Sequence, residues 1–135
     1  MKTVFITGAT RNTGLAIARR FAKEGYRIAI TSREAAAAQA AAEAISREFS
    51  VTARGYAMDL ENVDAIRRTF RAVEADFGRL DAFVANSAHL GVGYGLMNTD
   101  EAAFNSIMTI FHLCPREALA ARRWRKCRIV RVRMG

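Results

Sequence analysis

Short apolar, strand-like runs alternate along this chain with stretches of helical period, and no other feature constrains the fold as much. "KTVFI" leads into a helical stretch through "GLAIARRFAKEG", and "YRIAIT" into a second through "EAAAAQAAAEAISREF". "VTARGYAMDL" precedes a third, in which Val63, Ile66, Phe70, Val73 and Phe77 recur every three to four residues. "LDAFVAN" reads as a fourth strand and "CRIVRV" as a fifth, with a further helix between them. Strands joined through helices need right-handed crossovers, so the pattern predicts an α/β fold whose parallel sheet is covered on both faces. The block from Ala35 to Ala44 holds eight alanines in ten residues, which is helix propensity and scaffold, not a functional signal. Pro115, the only proline, falls inside what would otherwise be one helix from Thr99 to about Arg123 and predicts a kink or break near Cys114.

At 135 residues, with no internal repeat and no linker, the chain reads as a single domain, 1–135. No apolar run approaches the roughly 20 residues of a membrane span, and the N-terminus has no apolar leader or small-residue cleavage site, so the expectation is a cytoplasmic protein without a membrane partner. Cys114 and Cys127 form no thiolate cluster, His89 and His112 are isolated, and no metal site is expected. The net charge of +8 is concentrated at one end: residues 116–135 hold eight Arg/Lys and one Glu, leaving +1 for the rest. A nucleic-acid-binding surface would spread its charge over a face of the fold, which reads against nucleic acid as the main partner.

One stretch carries chemistry. "TGATRNTGLA", residues 7–16, joins the first strand to a helix beginning at about Gly14. A strand, a glycine turn and a helix start bring free backbone N–H groups and the positive helix end to one point, which suits a pyrophosphate. Asn12 stands in the middle of the turn, and Asn is among the few residues other than glycine that tolerate the left-handed region.

These residues resemble the short-chain dehydrogenase/reductase family, whose fingerprint T-G-x-x-x-G-x-G is matched by Thr7-Gly8-Ala9-Thr10-Arg11-Asn12-Thr13-Gly14 except at Asn12. Asp59-Leu60 matches the family's Asp-Val/Leu at the adenine. "DAFVANSA", Asp81 to Ala88, resembles D-x-L-V-N-N-A-G, with Ala85 for the first Asn, Asn86 retained, Ser87 for Ala and Ala88 for Gly. "RIVRVRMG" departs from a fifth strand of the form R-I-V-N-V-S-S. The resemblance implies a Rossmann-type doubly wound sheet of about five strands, incomplete on its C-terminal side. It implies that Gly8, Thr10, Arg11, Asn12, Thr13, Gly14, Ser32, Arg33, Asp59, Leu60, Asn86, Ser87 and Ala88 hold a dinucleotide. The activity it implies is NAD(P)H-dependent carbonyl/alcohol oxidoreduction on a small molecule, and it leaves room for a homo-oligomer. Plainer readings stand beside these: Asp59 as a helix cap ahead of Asn62, Asn86 as a tie between loops, and Arg11 and Arg33 as solvated cations.

The end of the second strand bears on the choice of dinucleotide. An acidic residue there would hold the ribose 2′-hydroxyl and repel a 2′-phosphate, whereas this chain has Thr31-Ser32-Arg33, with Arg11 in the glycine turn. Two guanidiniums and a hydroxyl favour NADP(H) over NAD(H), as in the NADPH-preferring members that this segment resembles.

The family's catalytic set is missing. Tyr26, Tyr56 and Tyr94 are followed four residues later by Ile30, Leu60 and Asn98, so no Y-x-x-x-K occurs. The family's serine falls on Met134, and the helix asparagine falls in a piece that "AAFNSIMTIFHLCP" skips. The expectation is a chain that keeps the cofactor-binding half, has no catalytic residues and is by itself inactive. The basic segment 116–135 reads as irregular chain or an edge strand, since Val130 and Val132 alternate with Arg131 and Arg133. The alternative is a non-catalytic nucleotide-binding or nucleic-acid-binding module in which Arg122, Arg123, Arg125, Lys126 and Arg128 surround Trp124.

Overall fold

The computed structural model describes residues 1–87, the helical residues Glu101, Ala102 and Asn105, and the backbone of 128–131. Its elements run β1 (Thr3–Ile6), α1 (Asn12–Lys23), β2 (Arg27–Ser32), α2 (Ala35–Phe49), β3 (Ala53–Ala57), α3 (Val63–Phe77), β4 (Ala82–Ala85) and β5 (Arg128–Arg131). All strand pairings are parallel, in the order β3-β2-β1-β4-β5. From β1 the chain moves outward through β2 to β3, then crosses back to β4 on the other side. The order therefore reverses at β1, between β2 and β4, the kind of place at which open α/β sheets form a crevice at the carboxyl ends of their strands.

Register decides which face each side chain serves. Phe5 stands beside Ala29 and Phe83, while Val4 stands beside Ile28 and Ala82. Because side chains alternate along a strand, Phe5, Ala29 and Phe83 face α3, where Ile66, Phe70, Val73 and Phe77 are buried against them. The rings of Phe5, Phe70 and Phe83 meet at centroid distances of 5.1, 5.4 and 5.5 Å, a mutual edge and tilted packing. The opposite face, with Val4, Ile6, Ile28, Ile30 and Val84, takes α1 and α2 through Ala18, Ala22, Ala42 and Ile45.

The alanine block of α2 thus has a packing role as well as a propensity. A Cβ on Gly55 of β3 would lie 2.2 Å from the backbone carbon and oxygen of Ala38, so helix and strand meet backbone to backbone there. Helix α1 starts two residues earlier than its apolar periodicity indicates, because Asn12, at φ +50°, turns the chain into the helix. "CRIVRV" supplies β5, parallel to β4 and last in the described strand order. The expected break at Pro115, together with Cys114, Cys127, His89, His112, Tyr94 and Arg122 to Lys126, lies outside the described residues.

Candidate functional site

Two buried threonines hold the turn after β1. Thr7, 1% exposed, accepts at Oγ1 the backbone N–H groups of Asn86 and Ser87, each at 3.1 Å. Its own N–H continues the ladder to the Val84 carbonyl. Thr31, 2% exposed at the end of β2, accepts the Gly8 N–H at Oγ1 and the Ala9 N–H at its carbonyl. The Asn86 amide then donates to the carbonyls of Thr7 (3.2 Å) and Gly8 (3.0 Å). The Asn86 amide is therefore committed to the turn, and Asn86 ties the β1 and β4 loops together.

Two glycines are required by this geometry. Gly8 has φ +62°, and a Cβ there would sit 2.5 Å from Ser87 Oγ. A Cβ on Gly14 would lie 2.3 Å from the Gly8 carbonyl oxygen, 2.5 Å from Asn86 Nδ2 and 2.8 Å from Ala9 Cα. The first turn of α1 consequently presses directly on the strand-end loops. Asn12 adopts the left-handed conformation that its place in the turn demands.

The start of α1 carries no cap. Arg11, at the N-cap in an extended conformation, makes no side-chain bond to the first turn, and no acidic residue stands in that turn. The N–H groups opening a helix have no acceptor within it, so this end keeps its positive potential. Helix α2 also starts without a side-chain cap, behind Ser32, Arg33 and Glu34, and Ser32 Oγ accepts the Glu34 N–H at 3.4 Å. Arg11 and Arg33 are exposed and join no ion pair among the described residues.

Beyond the end of the neighbouring β3, Asp59 Oδ1 accepts the Glu61 N–H at 2.9 Å and its carbonyl accepts from Asn62. The cap of α3 is Asn62, whose Oδ1 accepts the Ala65 N–H at 3.0 Å, so Asp59 shapes the loop before the cap and does not serve as the cap.

These pieces surround one cleft of about 1110 Å³ at the carboxyl ends of the strands. It is lined by Gly8, Thr10, Arg11, Asn12, Thr13 and Gly14 after β1; Ser32 and Arg33 after β2 and, beside them, Asp59 and Leu60 after β3 lie toward one end of the strand order, and Asn86 and Ser87 after β4 toward the other. Ala88 lies outside the described residues. Sequence reasoning missed Thr31 and the small wall of Ala37, Ala40, Ala41 and Ala44, which lets the cleft run between α1 and α2 until Arg19 and Glu48 bridge the helices. A hydroxyl residue at a strand end beside a glycine turn is the signal that could have flagged Thr31.

Among the described residues that line this cleft there is no Tyr, His, Cys or Lys. Tyr56 stands away from it, donating to Asp76 Oδ2 at 2.6 Å, while Arg54 pairs with the same carboxylate at 3.1 Å. Burial drives the Tyr56 phenol well above its ordinary value, and the hydrogen bond and charge of Asp76 push the same way against the opposing pull of Arg54. Among the described residues no group of His, Cys, Asp and Glu could hold a metal ion.

The sequence model of the family described as short chain dehydrogenase matches residues 2–115. An NADP-dependent mannitol dehydrogenase of Aureobasidium melanogenum is 30% identical over 110 residues, which is 79% of this chain and 41% of that protein. An alcohol dehydrogenase from the archaeon Thermococcus sibiricus, solved in complex with 5-hydroxy-NADP, superposes with a TM-score of 0.81 at 30% identity, over 90% of this chain and 51% of that one. An NAD+-bound xylitol dehydrogenase superposes with a TM-score of 0.83 at 31% identity, over 96% of this chain and 52% of that one. The chain spans about half the length of these solved relatives, and less of the mannitol dehydrogenase.

Proposed function

The chain belongs to the short chain dehydrogenase family, and on that premise we propose that it is the dinucleotide-binding part of an NAD(P)H-dependent carbonyl/alcohol oxidoreductase, with NADP(H) as the favoured cofactor. The observation that carries this reading is the uncapped start of α1 behind a turn whose two glycines leave no room for a Cβ, facing a cleft flanked by Arg11 and Arg33. Such a cradle suits a pyrophosphate, because backbone donors and the helix end meet it without a side chain intervening. In this reading Gly8, Thr10, Asn12, Thr13 and Gly14 hold the pyrophosphate, and Ser32, Arg33 and Arg11 take the 2′-phosphate. Asp59 and Leu60 line the adenine side, and Asn86, Ser87 and Ala88 floor the nicotinamide side. The names of the mannitol dehydrogenase and of the Thermococcus complex support NADP(H), and that of the xylitol dehydrogenase keeps NAD(H) within the family's range.

When bound, the cofactor supplies the hydride. This chain's residues bind and orient it, but with no Y-x-x-x-K they offer no activated phenol to protonate a developing alkoxide. The 135-residue chain is therefore read as a binder without multiple turnovers. No described helix is long and apolar enough to cross a membrane, and the reading takes the protein to be cytoplasmic.

Calorimetric titration with NADPH and NADH tests the proposal: binding of NADPH is expected, and no heat with either at millimolar concentration would overturn it. Arg33→Ala is expected to weaken NADPH about tenfold and NADH little, since a charge-assisted phosphate contact is worth about 1.5–3 kcal/mol. Equal losses for both cofactors would remove Arg33 from the 2′-phosphate site.

A further inference from the structure

The ladder between β1 and β2 ends at the pair Ile6 and Ile30. One residue further on, the chains part: Thr7 leads into the turn, while Thr31 continues as β2 beside Tyr56 of β3. At that fork the Gly8 N–H, which a continued ladder would have paired with backbone, finds the Thr31 hydroxyl at 3.3 Å instead. The Ala9 N–H takes the Thr31 carbonyl at 3.2 Å. Both N–H groups that open the turn thus end on a single residue of the next strand, Thr31, which is 2% exposed.

The two peptides that flank the Gly8 Cα set the surface on which α1 rests. Gly8 sits at φ +62°, and its carbonyl oxygen lies against the place where a Gly14 Cβ would be, while accepting from Asn86 Nδ2. The Gly8 N–H belongs to the Thr7–Gly8 peptide and the Gly8 carbonyl to the Gly8–Ala9 peptide, so the hydroxyl and the carbonyl of Thr31 hold the peptides on the two sides of the Gly8 Cα, and turning the first would change the Gly8 φ and with it the carbonyl on which α1 rests. An N–H without an acceptor is costly, so a side chain unable to accept at position 31 would favour turning the Thr7–Gly8 peptide toward water.

We infer that Thr31 is a positioning residue for dinucleotide binding: its hydroxyl holds the Thr7–Gly8 peptide, and through it the Gly8 φ, in the orientation that lets the start of α1 meet the phosphates. This rests on the function proposed above, and Thr31 acts through Gly8, not by touching the ligand. Because the pyrophosphate is common to both cofactors, the effect of losing the hydroxyl falls on NADPH and NADH alike, unlike that of Arg33.

The test compares Thr31→Ser with Thr31→Ala, which differ by one oxygen, and Thr31→Val, which keeps the shape of threonine. Two quantities are measured on the 135-residue chain well below its unfolding midpoint: hydrogen exchange of the Gly8 amide without ligand, and NADPH and NADH affinities by calorimetry. The expected result is faster Gly8 exchange and a roughly tenfold weaker binding of both cofactors in Thr31→Ala and Thr31→Val. Thr31→Ser is expected to stay within about twofold of wild type. A lower unfolding midpoint with unchanged Gly8 exchange and affinity would mean a merely structural threonine and overturn the inference, as would a loss confined to NADPH. If wild type binds neither cofactor, the proposed function falls and the inferred role in binding falls with it. If wild type binds and the variants bind equally well, only the inference falls.

Discussion

Helices α1 and α3 both cross from a strand end back along the sheet, yet they begin in opposite ways. Helix α3 opens with Asn62 capping the Ala65 N–H and with Asp64 in its first turn, so its positive end is neutralised from within. Helix α1 opens with Arg11 at the cap, no side-chain cap bond and no acid, directly over the cleft. The difference shows where stability has been satisfied locally and where an anion has been left to complete the helix end. It also separates two kinds of mutational effect, since changes at α1 should reach ligand and fold together, whereas changes at α3 should reach only the fold.

The largest effect is expected at Gly14. Gly14→Val introduces a branched side chain where even a Cβ would meet backbone at 2.3 and 2.8 Å. Overpacking against atoms that cannot rotate away should cost about 3 kcal/mol or more and abolish NADPH binding. Denaturant unfolding and calorimetry check both, and a variant within about 0.5 kcal/mol of wild type would show that α1 does not rest on the turn as described. Asn62→Ala should come next, losing about 1 kcal/mol with the α3 cap while leaving NADPH affinity unchanged. A loss of affinity there would break the distinction between the two helix starts.

Arg11→Asp reverses the arrangement at α1. The extended backbone at Arg11 suits a capping residue, so an aspartate should accept a first-turn N–H and raise stability by about 0.5–1 kcal/mol. The same carboxylate should repel the phosphates, so NADPH affinity should fall further than in Arg11→Ala. Stability and affinity rising together would mean that the bare helix end is not the anion site.

The smallest effect concerns Tyr56, which joins β3 to α3 through Asp76. Its phenol keeps its proton in the folded chain to a higher pH than in the unfolded chain. Its contribution is thus complete below the ordinary tyrosine value of about 10, and stability falls as the pH rises beyond it, because the unfolded chain ionises first. Tyr56→Phe should flatten this alkaline slope and leave NADPH binding intact. An unchanged slope in unfolding curves taken across that range would exclude Tyr56 as its source.

The sequence alone determined everything that depends on near neighbours. Helical periodicity marked Ile66, Phe70, Val73 and Phe77 as one buried face, and the run of strands and helices specified a parallel sheet. Asn12 could be read as a left-handed residue because that tolerance belongs to its own side chain. Tertiary structure alone decided what depends on strand ends meeting. Asp59 could be read as a helix cap ahead of Asn62 until the backbone placed the cap at Asn62. Asn86 became a tie because Thr7 and Gly8, 79 and 78 residues away, present their carbonyls to it. Ala38 looked like helix propensity alone until helix and sheet were brought backbone to backbone at Gly55. Thr31, an ordinary β-branched strand residue by pattern, acquired its role from the fork where β1 leaves β2. Periodicity records which way a side chain points along its own element, but hydrogen bonds across a sheet's carboxyl edge depend on register and on where each strand stops, which are settled only when the whole sheet assembles.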